Sequence, residues 1–154
     1  MSALPHVFII QGVTMIKTKL GISVGLFGAA LYFSGLFGGF LVLLLLAGYV
    51  MLAEENEWIR KTAVKAVTLL IAFSLLPALV RLIPDLIGWI NNILRVFSDK
   101  ATISTLLLSK IMDVIYSTID IGRTVLFICL GIKAFNQGTI AIPVVDGVAD
   151  KYAD

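Results

Sequence analysis

Residues 20–53 read LGISVGLFGAALYFSGLFGGFLVLLLLAGYVMLA, a run of thirty-four residues without any Lys, Arg, Asp, Glu, His, Asn or Gln. A membrane-spanning helix needs about 20 consecutive apolar residues, and a water-soluble fold has little use for a run of this length. The whole composition agrees, because 59% of the residues are hydrophobic, 14% are charged and the mean hydropathy is +1.01. We therefore predict an all-α integral membrane protein in contact with the lipid bilayer.

The apolar run is too long for a single crossing. As one helix rising about 1.5 Å per residue it would reach about 50 Å, whereas the hydrocarbon core is about 30 Å thick. Gly and Ser favour a turn, and Ser34 with Gly35 is the natural place for one, helped by two further glycines. The run therefore predicts two spans, residues 17–33 and 36–53. A single long, tilted helix is the alternative.

The first predicted span contains the small residues Gly21, Gly25 and Gly28. Small side chains let a second helix approach closely in lipid, where no hydrophobic force acts between helices. Gly21 and Gly25 also form a small-xxx-small pair. We predict that the three glycines pack against another helix, either in a homo-oligomer or in a larger membrane-protein partner.

A charged segment, residues 54–61, precedes the third predicted span, residues 62–83. Asn56 is placed to cap a helix whose first turn contains Glu57. Pro77 lacks a backbone N–H, so a bend is expected about one turn before it. Lys65 is long enough to reach back toward water. Aromatic and basic residues that flank the predicted spans are candidate interfacial anchors: Tyr49, Trp58, Arg60, Lys61 and Trp89.

Two amphipathic patterns follow, in residues 84–97 and 103–118. Their polar residues recur at helical spacing, which is typical of a helix lying in the plane of the membrane surface. The second pattern leaves two possibilities open, because residues 103–119 are long enough to cross most of a membrane. Residues 119–135 form the fourth predicted span. The expected architecture is four transmembrane helices with one or two interfacial helices between the third and the fourth.

A polar stripe runs along the last two of these segments: Asp113, Ser117, Asp120 and Arg123. Charge at the centre of a bilayer costs about 2.5 to 3.5 kcal/mol on insertion scales, so such residues need a partner or an aqueous surface. One interpretation places the stripe at headgroup level, where it sets the depth of the helix. The other makes it the lining of a path for an ion, a proton or an amphiphile.

The predicted membrane domain, residues 17–136, lies between an N-terminal extension, residues 1–16, that need not be ordered and a soluble or surface-lying tail, residues 137–154. Basic residues outside the spans decide orientation. Four spans place seven Lys or Arg on one side and five on the other. This excess favours both termini in the cytoplasm of a multi-pass protein, which we expect in a bacterial cytoplasmic membrane.

The segment Glu57-Trp58-Ile59-Arg60-Lys61-Thr62-Ala63-Val64-Lys65-Ala66, which opens the third span, resembles a signature of small bacterial polytopic proteins of unknown function. Those proteins are similar to the twenty-kilodalton inner-envelope subunit of the chloroplast protein translocon. The tail Ile142-Pro143-Val144-Val145-Asp146-Gly147 is similar to the Ile-Pro-x-Ile-Gly tail of the same family. Thr62 and Lys65 depart from the family pattern. The resemblance implies four spans and service as an accessory subunit, and it supplies no catalytic residues.

Catalysis is disfavoured because the chain has only one His and one Cys. Cys129 lies in an apolar run, so we expect it to be a small buried hydrophobic residue. Asp113 and Asp120 lie two helical turns apart, but no supporting motif accompanies them. No cofactor or metal signature is present, and a net charge of +2 gives no reason to expect nucleic acid. We predict a non-enzymatic accessory or structural subunit of a larger membrane complex. The alternative is an oligomeric channel or transporter component whose path is lined by the polar stripe.

Overall fold

In the computed structural model, residues 7–10, 13–98 and 103–153 are described, and they form five helices and one short hairpin. The elements in chain order are β1 (Val7–Ile10), β2 (Val13–Ile16), α1 (Val24–Phe37), α2 (Gly39–Ala53), α3 (Glu57–Phe97), α4 (Leu106–Phe135) and α5 (Pro143–Tyr152). The two strands pair antiparallel, with Val7 opposite Ile16. Part of the N-terminal extension thus forms a hairpin, and its β-branched residues favour extended backbone. Residues 1–6 and 11–12 lie outside the described part.

Two helices, α3 with 41 residues and α4 with 30, are long and apolar enough to cross a membrane. The apolar helices α1 and α2 have 14 and 15 residues, or about 21 and 22 Å of helix, which is shorter than a hydrocarbon core of about 30 Å. The helical class is confirmed and membrane association is supported. Of the four spanning helices predicted, the described residues contain two that are long and apolar enough to span.

The described chain divides into two compact units. The first combines the residues up to Leu70 with those from Thr124 onward, and the second is Ile71–Arg123. The first unit contains the buried core, including the fully buried side chains of Leu31, Ile59 and Phe127. In the second unit, Met112 is the only described residue that is buried. The two units therefore differ in how much apolar surface they bury within themselves.

The helix α1 begins at Val24, whereas the sequence predicts a start at residue 17. Gly21 has φ +78°, a conformation that side chains with a Cβ rarely adopt, so the helix cannot extend back through it. Ser23 is the N-cap, and its hydroxyl accepts the N–H of Leu26 at 3.2 Å. The N-cap and the preceding glycine with positive φ therefore set the first residue of α1, which the apolar pattern alone does not locate.

The chain reverses at Gly38 and Gly39, not at Ser34 and Gly35. Gly39 has φ +72°, which breaks the helical path, and Gly38 is the C-cap of α1. Ser34 lies inside α1, and its hydroxyl donates to the carbonyl of Leu31 at 2.8 Å. The chain does turn back within the apolar run, but the predicted position of the turn is about one helical turn too early.

The start of α3 confirms the predicted cap. The Asn56 side-chain oxygen accepts the N–H groups of Trp58 at 3.0 Å and Ile59 at 3.3 Å. The predicted boundary at residue 84 is wrong, because α3 continues through both Pro77 and Pro84. A proline removes one donor, and the Leu- and Ile-rich sequence on both sides continues the helix beyond it.

The sequence predicts separate helices over residues 103–118 and 119–135, and the structure joins them in α4. The sequence from Leu106 to Phe135 contains no proline, so every residue can donate its backbone N–H within one helix. The chain before α4 is held by Asn91, whose side chain donates to the Ile103 carbonyl at 3.1 Å and accepts the Ile103 N–H at 2.8 Å. Cys129 is exposed on α4, contrary to the expected burial.

Candidate functional site

Lys65 is the most deeply buried charged residue of the described chain, at 4% exposure. It lies on α3 one helical turn after Lys61, within the first compact unit. Removing an ammonium group from water costs free energy unless acceptors replace the lost water molecules. The groups around Lys65 must therefore supply hydrogen-bond acceptors for its ammonium.

Three acceptors surround the Lys65 ammonium. It donates to the Thr139 hydroxyl at 2.9 Å, to the Ile140 carbonyl and to a carboxylate oxygen of Asp146. A lysine ammonium has three N–H donors, so each has an acceptor. Thr139 and Ile140 lie in the segment between α4 and α5, and Asp146 lies in the first turn of α5.

The second oxygen of the Asp146 carboxylate accepts the backbone N–H of Ile142 at 2.7 Å. Burial acts to raise the pKa of Asp146, but the hydrogen bonds from Lys65 and Ile142 and the positive charge of Lys65 outweigh it. The pKa of this carboxyl therefore lies below its usual range. Asp146 is ionised at neutral pH, and it holds the N-terminal end of α5 as well as the lysine.

A second ion pair lies one turn away from the first along both helices. The Lys61 ammonium is 3.1 Å from an Asp150 carboxylate oxygen, and the two side chains are 39% and 68% exposed. We call Lys61, Lys65, Asp146 and Asp150 the C-terminal clamp. A cavity of about 280 Å³ adjoins the clamp, and Trp58, Thr62, Thr139 and Ala149 also line it.

The chemistry of the clamp is that of attachment. A nucleophilic lysine needs a neutral amine with a free lone pair, and Lys65 is instead surrounded by acceptors and faces an ionised carboxylate. In the inner pair, Lys65 is buried and donates a hydrogen bond to the Asp146 carboxylate. The outer pair of Lys61 and Asp150 is exposed, so water and salt screen the attraction between its charges. The arrangement holds α5 against the first turns of α3.

The segment before α1 is attached in a similar way. The backbone N–H of Lys19 donates to both carboxylate oxygens of Glu54, at 3.0 and 3.2 Å, and Glu54 is 6% exposed. The Lys19 ammonium pairs with Glu55 at 3.1 Å. These contacts join residues near the N-terminus to the connection between α2 and α3.

The predicted packing glycines divide into two kinds. Gly21 lies before α1, so the predicted pair of Gly21 and Gly25 on one helix is wrong. A Cβ at Gly25 would lie 2.3 Å from the carbonyl oxygen of Phe135, and one at Gly28 would lie 2.7 Å from the Trp58 ring. Gly25 and Gly28 therefore allow close contacts of α1 with the end of α4 and the start of α3 in the same chain.

The polar stripe lies along α4. Asp113, Ser117 and Asp120 are exposed and Arg123 is half-buried. The Ser117 hydroxyl donates to the carbonyl of Asp113 at 2.8 Å, so it is used within the helix. Among the described residues, no group of three His, Cys, Asp or Glu is arranged to hold a metal ion.

The predicted interfacial anchors are found in different surroundings. The Tyr49 ring meets the Phe27 ring edge to face, with centroids 6.1 Å apart. Trp58 and Arg60 are half-buried, and Trp58 covers a glycine of α1. Trp89 is 63% exposed on α3. Trp89 is thus the only aromatic anchor of this set whose ring mostly faces outward.

Sequence reasoning missed the acidic half of the clamp. The sequence predicts a soluble or surface-lying tail over residues 137–154 without any contact to α3, and in the structure Asp146 and Asp150 of this segment pair with Lys65 and Lys61. The expectation that Lys65 reaches toward water is wrong, because it reaches these acceptors instead. The available signal was the matched four-residue spacing of Lys61 with Lys65 and of the two aspartates.

Comparisons with known protein families, with characterised proteins and with solved structures found no match to this chain. The resemblance to small bacterial polytopic proteins therefore stays a prediction. Function is inferred instead from the geometry and chemistry of the described residues.

Proposed function

We propose that this chain is a non-catalytic, multi-pass membrane protein that serves as an accessory or structural subunit of a larger membrane complex. The observation that carries the proposal is the exposure of the second unit, where Met112 is the only buried residue among those described. Leucine, isoleucine and aromatic side chains make up much of its outer surface. Helices with so little internal burial need lipid or protein around them.

The exposed charges on α4 favour protein over lipid alone as the neighbour. Asp113 and Asp120 are exposed between large apolar side chains such as Val114 and Ile121. A carboxylate facing lipid tails is costly, whereas a second membrane protein can offer a polar partner to it. A docked subunit would satisfy these groups and cover apolar surface at the same time.

The topology that we propose has α3 and α4 crossing the bilayer, while α1 and α2 form a short apolar hairpin that enters from one side. The clamp attaches α5 to the start of α3, and Lys19 contacts the connection just before α3, which supports placing the segments before α1 and after α4 on one side. The excess of Lys and Arg there favours the cytoplasm of a bacterial cell.

Native purification tests the subunit role. The chain, at its natural level, is extracted in mild detergent or nanodiscs, and the mass of the intact complex is measured. We expect a foreign membrane protein in fixed stoichiometry. A pure homo-oligomer or a monomer would contradict the proposal.

An oligomeric channel or transporter component is the second candidate, because the stripe of Asp113, Ser117 and Asp120 is exposed on one helix. A single copy has too few spanning helices to enclose a path, so copies would have to supply the rest. Reconstituted protein with Asp113→Asn and Asp120→Asn should lose ion flux if this is the function. Asp150→Asn, which removes a charge outside α4, is the matched control and should keep it.

A further inference from the structure

The second unit contains a cavity of about 500 Å³ between its two helical segments. Residues of both segments line it: Ser74, Pro77, Ala78, Arg81, Asp85 and Tyr116. Large apolar side chains make up much of the surface of this unit, and the cavity brings together a guanidinium, a carboxylate and a phenol.

Three polar groups at this cavity lack a partner among the described residues. The Tyr116 hydroxyl is buried and makes no hydrogen bond with any of them. Arg81 and Asp85 lie four residues apart, yet neither forms an ion pair with the other or with another described residue. Arg81 and Asp85 are exposed, so their charges are accessible to a ligand, and a buried hydroxyl such as that of Tyr116 normally has a hydrogen-bond partner. Together the three groups indicate a ligand with matching groups.

The position of Arg81 in the sequence indicates where the cavity lies in a membrane. Residues 66–80 of α3 contain no ionisable side chain, and Arg81 is the first charge after them. A long apolar stretch that ends in a basic residue is expected to end near the headgroups. Lipid headgroups are therefore the chemistry available to Arg81 and Asp85.

We propose that this cavity binds a phosphoethanolamine group, the headgroup of an aminophospholipid. The Arg81 guanidinium and the Tyr116 hydroxyl hold the phosphate oxygens, and the Asp85 carboxylate holds the ammonium. The two charges of this headgroup are joined by two carbons, and the side chains of Arg81 and Asp85 are neighbours on adjacent helical turns. The site goes beyond the subunit role and requires only that the second unit lies in a membrane.

Lipid titration of the full-length protein tests the site. Protein purified in a detergent without phosphate is titrated, by native mass spectrometry, with phosphatidylethanolamine, phosphatidylglycerol and phosphatidylcholine of identical acyl chains. We expect phosphatidylethanolamine to bind about tenfold more tightly than the other two. Phosphatidylglycerol has no cation to pair with Asp85, and the quaternary ammonium of phosphatidylcholine has no N–H to donate.

Three variants assign the contacts. Asp85→Asn should remove the preference for phosphatidylethanolamine, and Arg81→Gln should weaken its binding about tenfold. Tyr116→Phe removes a hydroxyl that has no hydrogen-bond partner among the described residues, so it should weaken binding several-fold without lowering the melting temperature. Arg95→Gln is the control, because it removes the same charge from α3 and does not line the cavity.

Soluble glycerophosphoethanolamine distinguishes the two sources of this group. If the soluble compound also binds, and binding depends on Arg81 and Asp85, the cavity recognises the headgroup alone. If only the lipid binds with that dependence, the acyl chains contribute as well, and both outcomes support the site. Equal binding of all three lipids, or a preference that survives Arg81→Gln and Asp85→Asn, would overturn it. The result does not depend on a partner subunit, because the chain is titrated alone.

Discussion

Replacing Asp146 by Ala tests whether the C-terminal clamp holds α5. Removing one partner of a buried ion pair costs about 3 to 5 kcal/mol, because the other charge stays buried without its counter-charge. Here the Asp146 side chain is 34% exposed and Lys65 keeps two neutral acceptors. We therefore expect α5 to be held less tightly by about 2 kcal/mol, which corresponds to about 30-fold faster opening-limited exchange.

Hydrogen exchange of the α5 amides, measured by mass spectrometry in detergent, gives this quantity directly. The matched control is Asp150→Ala, which breaks the exposed outer pair with Lys61 and should cost at most about 0.5 kcal/mol. The double variant Lys65→Met with Asp146→Ala should exchange more slowly than Asp146→Ala, because no ammonium then stays buried. Unchanged exchange in Asp146→Ala, or a larger effect in Asp150→Ala, would refute the reasoning.

Three further predictions concern the stability of the first unit. Because folding lowers the pKa of Asp146, the α5 amides should stay protected from exchange above the ordinary aspartate pKa of about 3.9. They should lose protection as the pH falls through the lower pKa of the folded state, which hydrogen exchange between about pH 6 and 3 checks. Gly25→Ala should destabilise the chain by about 1 to 3 kcal/mol, since the added Cβ meets the Phe135 carbonyl, while Gly48→Ala, which has open space around it, should be neutral or stabilising in thermal melts. Asn56→Ala removes the cap of α3 and should cost about 1 kcal/mol in the same melts, and an unchanged melting temperature would contradict this.

Much of the local structure could be predicted from residue types and their spacing. The fold-back of the apolar run was predicted from its length, which as one helix would exceed the hydrocarbon core. Asn56 had to cap a helix, because its side chain is short, polar and directly followed by helix formers. Helix boundaries were less predictable. Pro84 interrupts the pattern without ending α3, and Gly39 rather than Gly35 adopts the positive φ that turns the chain.

The candidate sites were predictable only in part. The basic residues at the α3 start were recognised, but their role depends on aspartates about eighty residues later in the chain. The cavity lined by Arg81 was not predicted, because Tyr116 joins it from another helix. Contacts of this kind depend on which segments pack together, and periodicity within one segment does not contain that information.

The sequence by itself determined how apolar this chain is and the class of its secondary structure. Apolar runs of this length have a favourable free energy only in lipid or against other apolar surface, whatever their tertiary arrangement. The tertiary structure alone decided that Lys65 is buried against Asp146 and that Gly25 touches the end of α4. It also decided that Arg81, Asp85 and Tyr116 share a cavity. The physical reason is that an ion pair or a cavity needs groups from distant segments at atomic distances, and only folding brings those groups together.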